Sequence, residues 1–505
     1  MNEFDLKECI ASFSLAEDLA NGNPPETALR ASILAYELAL SSGMKKELCE
    51  ECYLTILLRF LGSTSFSSEE SELFGGDDIA FKKIFSGIDV LNKTDIFKRT
   101  FKLGTGKDRL TAKINILIKG NNNFTNLVKT QCDIASLLAT RLNLSENIIQ
   151  SLTQLHERYD GKGKPNGLAG EKINFLARVS NLSYTFEVLR QNFGTENAID
   201  EIEKRKGKQF DPKLVKVLKD TISRLKDIYN NKNSIWQDAL NRSPSIKAND
   251  RISIAETFAD FIDLKSKFTF EHSRKVSKLA SLTGKIAGLS EIQIQNMEIA
   301  SLIMNIGMVT VSTGIMEKKT ALTFPEKNSI ELHTYYTEKI LQPAKLFNDS
   351  LEIALQHHER KDGSGYPSKK KFISIASSIV MISDFVTSLS SERAYRKSFS
   401  KSEIEKLVYQ EIKEGRFDDR AAKLVLEGMG IKKEKFHRAK DVMGLTSKEI
   451  EVIKFLAQGF TNKEIGLQLN LSHRTIQHHT ITIYEKLGVN SRAGAVMTAF
   501  EKKII

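Results

Sequence analysis

LHERYDGKGKP at 155–165 and HHERKDGSGYP at 357–367 are two copies of one motif. His156 pairs with His358, 202 positions on, and at the same offset Gln131 falls on His333. Upstream, LLRFLG at 57–62 parallels LIMNIG at 302–307, and downstream Phe210-Asp211 parallels Phe417-Asp418. The spacing is far above the roughly 20–50 residues of solenoid repeats, so this is a duplication and not an array. Two related domains are therefore expected, at 1–225 and 251–430. Both read as helical: apolar residues recur at helical spacing, as at Val276, Leu279, Ala280, Thr283 and Ile286. Eight prolines and one tryptophan in 505 residues also favour helices over a loop-rich β protein.

A chain of 505 residues exceeds what one core supports. The polar, turn-rich stretch around 230–250 marks a linker, set at 226–250. A second linker, the basic run IKKEKFHRAKD at 431–441, precedes a third domain at 442–505. The net charge of +11 is compatible with a polyanionic partner without proving one. No basic segment followed by a long apolar run opens the chain, and no stretch reaches about 18 consecutive apolar residues, so no membrane contact and a cytoplasmic location are expected. Cys49 and Cys52 form a lone Cys-x-x-Cys; a structural zinc site needs four ligands, so these read as ordinary reduced thiols.

Three helix starts in the last domain share one signature. Thr446 with Glu449, and Thr461 with Glu464, are spaced as capping boxes, with Leu445/Ile450 and Phe460/Ile465 placed as hydrophobic staples. Ser472 opens the third helix, and Gly459 and Gly488 stand where helices stop. Helices are expected at about 446–458, 461–469 and 472–487, with only a tight turn between the last two, as a helix-turn-helix requires. Ile476, Thr480, Ile483 and Leu487 form the third helix's inner face. Arg474, Gln477 and His478 lie opposite, and arginine and glutamine can pair bidentately with base edges. Thr461, Lys463, Ser472 and Lys486 are candidates to hold phosphates. Asn462, His473 and Thr475 complete the expected DNA-binding set.

The segment 445–489 resembles the DNA-binding domain of LuxR-type transcription regulators. Leu445-Thr446, Glu449, Gly459, Asn462-Lys463-Glu464-Ile465, Ser472, Thr475, His479 and Lys486-Leu487 carry the likeness. The resemblance implies a four-helix domain, its last helix at about 491–500, that binds double-stranded DNA as a homodimer.

The second copy resembles the HD-GYP subgroup of HD-domain phosphohydrolases: His272-Ser273-Arg274, His333, HHERKDGSGYP, Asp384, Arg393 and Tyr395-Arg396 fall in pattern. The expected fold is thus all-α, with two tandem HD-like bundles followed by a four-helix helix-turn-helix domain. Active members of that family use paired metals to hydrolyse cyclic dinucleotides, and an aspartate bridges the pair. This chain departs from them. Met304 and Asn305 stand where the His-Asp pair belongs, and Met308 replaces a lysine. Neutral asparagine cannot serve as a bridging carboxylate, and methionine is a poor ligand for hard metals. In the first copy Arg59 and Phe60 replace the His-Asp pair, Gln131 the next histidine and Leu155 one of the paired histidines, leaving His156. Two-metal hydrolysis is not expected in either half, and no catalytic residue is assigned.

His272, His333, His357, His358 and Asp384 survive in the second copy. They form a residual metal set for a single transition metal (iron, manganese or zinc), or else a hydrogen-bonded remnant. The modular order, together with FADFIDLKSKFTFEHSRKV at 258–276 and FGGDD at 74–78, resembles a multidomain regulator family whose first modules are sensory. Three readings stand. The first is a transcription regulator whose HD-like halves sense a small-molecule or nucleotide ligand, or dimerise. The second is a phosphodiesterase with an altered metal site, and the third a scaffold that only positions the DNA reader.

Overall fold

The computed structural model describes residues 4–89, 91–101, 124–230, 234–248, 250–431, 445, 447–469 and 471–502. Among them the named elements are helices, apart from one antiparallel pair of two-residue strands, Phe4–Asp5 with Lys247–Ala248. The chain divides into two compact units, Met1–Gly430 and Ile431–Ile505. The stretch 226–250 carries two short helices, Lys226–Asn230 and Trp236–Leu240, and the second strand. The basic run at 432–441 lies outside the described residues. No described helix is long and apolar enough to cross a membrane.

The duplication is visible atom by atom. Glu157 accepts the amides of Asn166 (2.7 Å) and Leu168 (3.0 Å). Glu359 accepts those of Ser368 (2.7 Å) and Lys370 (2.9 Å), each 202 positions later. Both glutamates are buried, and two backbone donors satisfy the carboxylate that the loop would otherwise leave stranded. Asp18 accepts from Ala28 at the start of helix Thr27–Ser41, and Asp263 accepts from Ser273 at the start of helix His272–Ile286. Immediately before each helix, Glu26 and Glu271 adopt the same left-handed backbone, with φ of 69° and 56°. Gly62 and Gly307 occupy equivalent places: a Cβ at either would collide with the carbonyl oxygen of Gln131 or of His333. A side chain there would push the next ligand-bearing helix away.

The halves pack against each other through aromatic side chains. Phe13 and its duplicate Phe258 meet edge to face, with ring centroids 4.9 Å apart, and Phe261 closes on Phe13 at 4.8 Å. All three rings are buried. Nearby, Lys265 and Asp78 form a fully buried ion pair at 2.8 Å, and Asp78 also accepts the Thr313 amide at 2.8 Å. The expected motif FGGDD thus ends on a residue that ties the first half to the second.

In the terminal unit the helices are Ser447–Ala457, Asn462–Leu469, His473–Leu487 and Arg492–Glu501. Val452, Ile453, Leu456, Ile465, Ile476, Ile483, Leu487, Ala495 and Ala499 form their core. Thr461 and Glu464 make the reciprocal capping box, and Ser472 accepts the Thr475 amide at 3.1 Å. Thr446 lies outside the described residues. Gly459 and Gly488 take left-handed φ of 91° and 67°, which ends two helices without Cβ strain. The turn itself needs a glycine at 466, where a Cβ would stand 2.7 Å from the Leu471 carbonyl oxygen.

Candidate functional site

Two regions carry chemistry. The first is a cavity of about 460 Å³ in the second half, with His272, His333, His358, Asp384, Asn305 and Arg393 in its wall. His333 opens helix His333–Leu341, His357 and His358 follow helix Asn348–Leu355, and Asp384 lies within helix Ile375–Ser390. The ligand atoms of His333, His357 and His358 all lie within 4.8 Å of one another.

Hydrogen bonds fix how two of these rings present themselves. His333 Nδ1 lies 2.6 Å from the Ile330 carbonyl, and His357 Nδ1 lies 2.6 Å from the Ala354 carbonyl. A carbonyl only accepts, so each Nδ1 carries the proton and each Nε2 keeps a lone pair. Those Nε2 atoms face each other at 3.1 Å. Two lone pairs at that distance repel unless a cation lies between or beside them. Imidazoles bound 2.0–2.1 Å from a tetrahedral zinc stand about 3.4 Å apart, close to this spacing. Nδ1–H bonded to a backbone carbonyl is also the usual way a metal-binding histidine is oriented. The donor set therefore fits a single imidazole-preferring transition metal.

Burial holds all three rings neutral: the His333 pKa falls to about 3, and those of His357 and His358 are also lowered, chiefly by burial. His272 Nε2 meets Asp384 Oδ1 at 2.8 Å. Burial opposes ionisation of Asp384, but the hydrogen bond with His272 outweighs it and holds the pKa below the usual range. His358 stacks on Tyr366, ring centroids 4.7 Å apart. Met304 is fully buried and serves as core, while Asn305 and Met308 face the cavity in place of a carboxylate and a lysine. Lys318 and Lys319 also line it, but Lys318 is paired with Glu326 at 2.6 Å.

The first half holds a different set at the equivalent places. Arg59 donates to Ser180 Oγ at 3.1 Å and to the Leu155 carbonyl at 3.4 Å, and its guanidinium lies over the rings of Tyr184 (5.0 Å) and Phe60 (5.7 Å). Tyr184 takes the position of Asp384 on the matching helix Phe175–Phe193. Sequence reading missed this substitution. The signal was the alignment of the helix caps Asn174 and Ser374, which differ by 200 and not by 202.

The second region is the outer face of helix His473–Leu487. Gln477, His478, Ser472 and His473 are exposed, as are Thr461 and Lys463 on the preceding turn and helix. Ile481, 51% exposed, extends the same face one turn beyond Gln477 and was also missed by sequence reading. Asn462 and Thr475 are half-buried, and Thr475 shares a hydrogen bond with the Ser472 hydroxyl at 2.7 Å. Lys486 is held at 2.7 Å by Glu449, whose carboxylate is almost fully buried. The side chain of Arg474 lies outside the described residues.

Comparison with known proteins places both regions. The HD domain family matches residues 126–214 and 256–420, and the family of bacterial regulatory proteins of the luxR type matches 443–499. The chain is 29% identical over 408 residues to the 3'3'-cGAMP-specific phosphodiesterase 3 of Vibrio cholerae, a match spanning 78% of this chain and 88% of that one. It is 39% identical over 72 residues to the transcriptional regulatory protein YdfI of Bacillus subtilis, which is 14% of this chain and 34% of that one. A crystal structure of a cyclic GMP-AMP-specific phosphodiesterase from V. cholerae superposes with a TM-score of 0.59 at 23% identity, over 85% of this chain and 99% of that one, a likeness of fold. With its repeated helical halves matched by one family and its helix-turn-helix by the other, the chain belongs to the HD-domain family and carries a C-terminal LuxR-family DNA-binding domain.

Proposed function

We propose that this chain is a cytoplasmic transcription regulator that binds double-stranded DNA as a homodimer, with its HD portion serving as the ligand-sensing module. One observation carries the reading. The chain joins a helix that turns Gln477 and His478 outward to a histidine pocket in which Asn305 stands where a bridging carboxylate is needed. A pocket that retains its donors but lacks the bridge can bind without turning over. The domains act as 1–225, 251–430 and 442–505, and residues Thr461 to His478 read the duplex as set out above. Met497 (61% exposed) and Phe500 (58%) form an apolar stripe on helix Arg492–Glu501 that supports pairing of two copies.

The ligand class follows from the relatives, whose names specify cyclic dinucleotides. His333, His357 and His358 would hold one iron, manganese or zinc ion, which when bound supplies a Lewis acid for a phosphoryl oxygen. Arg393 and Lys319 give the cavity wall further positive charge, and Tyr395 offers a ring face for a base. Differential binding to two arrangements of the chain then shifts DNA affinity. The test is fluorescence anisotropy with a fragment of a candidate promoter, with and without 3'3'-cGAMP. The reading expects the dinucleotide to change affinity in the full-length protein and Gln477→Ala to weaken binding. DNA affinity indifferent to both would overturn it.

The second reading, a phosphodiesterase, is favoured by the three-histidine cluster opening on a cavity of this size and by the span of the V. cholerae match. Hydrolysis of 3'3'-cGAMP that disappears in His357→Ala would establish it.

A further inference from the structure

Helix His473–Leu487 sorts its apolar side chains with one exception. Ile476, Ile483 and Leu487 are buried in the core of the terminal unit, and Tyr484 packs against that core. Ile481 does neither and is 51% exposed. It stands one helical turn beyond Gln477, which itself stands one turn beyond His473. All three are exposed, so they form a single outward row along the helix.

The hydroxyls on either side of Ile481 are already engaged. Thr480 donates to the Ile476 carbonyl at 2.8 Å, and Thr482 donates to the His478 carbonyl at 3.0 Å. Both are turned onto the helix's own backbone. The turn that follows Gln477 and His478 therefore offers a duplex an aliphatic surface in place of donors. Every base pair shows hydrogen-bonding groups in the major groove, but the only apolar group there is the C5-methyl of thymine. A side chain that neither donates nor accepts can tell bases apart by that group alone. Branching at Cβ also suits isoleucine to the task, because its χ1 is already restricted in a helix and little freedom is lost on contact. One turn of helix advances the chain by about 6 Å. The methyl group so reached lies within about two base steps of the base that Gln477 pairs.

We propose that Ile481 is a specificity-determining residue that reads the C5-methyl group of a thymine. The sites this chain prefers then carry a thymine at a fixed place beside the Gln477 contact. 5-Methylcytosine bears the same methyl at the same ring position and makes the same contact. The inference rests on the DNA-binding reading above and adds to it the identity of one base and the chemistry that selects it.

The experiment uses the full-length protein and a duplex that it enriches from a randomised pool, resynthesised with deoxyuridine in place of each thymine in turn. Uracil pairs as thymine does and lacks only the methyl. Fluorescence anisotropy should show binding weakened about fourfold at one thymine position, the worth of one buried methyl. Ile481→Ala should bind the thymine and uracil duplexes equally and melt with the parent, since the side chain lies outside the core. Gln477→Ala, though weaker on both duplexes, should keep the difference between them. Cytosine and 5-methylcytosine placed at the same position should differ in the same direction for the parent and not for Ile481→Ala. A parent protein indifferent to every uracil substitution overturns the inference and leaves DNA binding standing. So does an Ile481→Ala variant that keeps the discrimination. A parent that enriches no duplex overturns the DNA-binding reading itself, and this inference with it.

Discussion

The two halves share a scaffold down to individual backbone hydrogen bonds and differ at its centre. Around Glu157 and Glu359, Asp18 and Asp263, and Gly62 and Gly307, the pairs are interchangeable. In the middle one half presents three neutral histidines and the other an arginine over two aromatic rings. The frame is therefore specified by residues that satisfy buried backbone groups, while the side chains at the centre are free to change. Similar folding does not imply similar binding.

The comparison breaks most visibly on metal content. After purification with iron, manganese and zinc supplied, elemental analysis should find about one transition metal per chain, none in His357→Ala, and an unchanged amount in His156→Ala. Equal loss from both histidine variants would mean the halves are not as different as described. Next in size is the aromatic contact between the halves. Phe13→Ala and Phe258→Ala should each cost about 3–5 kcal/mol in denaturant unfolding. Because the rings touch, the double variant should cost less than the sum.

Smaller effects lie in the terminal unit. Gln477→Ala should cost on the order of 1–3 kcal/mol at a cognate site and far less at unrelated sequence, measured by anisotropy. Lys463→Ala should weaken binding to all sequences and reduce the salt slope by about one. The smallest concerns acid stability. Burial, reinforced by the Arg59 charge, lowers the His156 pKa from 6.5 to about 4. The folded value lies below the unfolded one, so the neutral ring's contribution is complete above about pH 6.5 and is lost as pH falls toward 4. His156→Gln should flatten the acid limb of the stability profile in that window and leave stability near neutrality little changed.

Much of this was legible beforehand, for physical reasons. Metal-position residues follow the repeated motif at fixed spacing, so His333, His357 and His358 could be picked out and do converge. Cap residues and glycine stops act locally, so the four terminal helices were expected within two residues of their observed limits. What stayed hidden depends on contacts distant in sequence. Lys486 reads as a free cation until Glu449, 37 positions earlier, is seen to hold it. Tyr184 escaped because two residues more separate it from His156 than separate Asp384 from His358, so a constant offset passes it by.

The aromatic contact between Phe13 and Phe258 has a consequence for how such a molecule can diverge. In an assembly of two identical subunits every substitution appears twice, and a change that helps one copy burdens its mate. Here both mates are encoded in tandem on one polypeptide, so each can mutate alone while its sibling continues to supply the complementary surface. An arginine could enter one centre while the histidines stayed in the other, and neither step required the pair to separate.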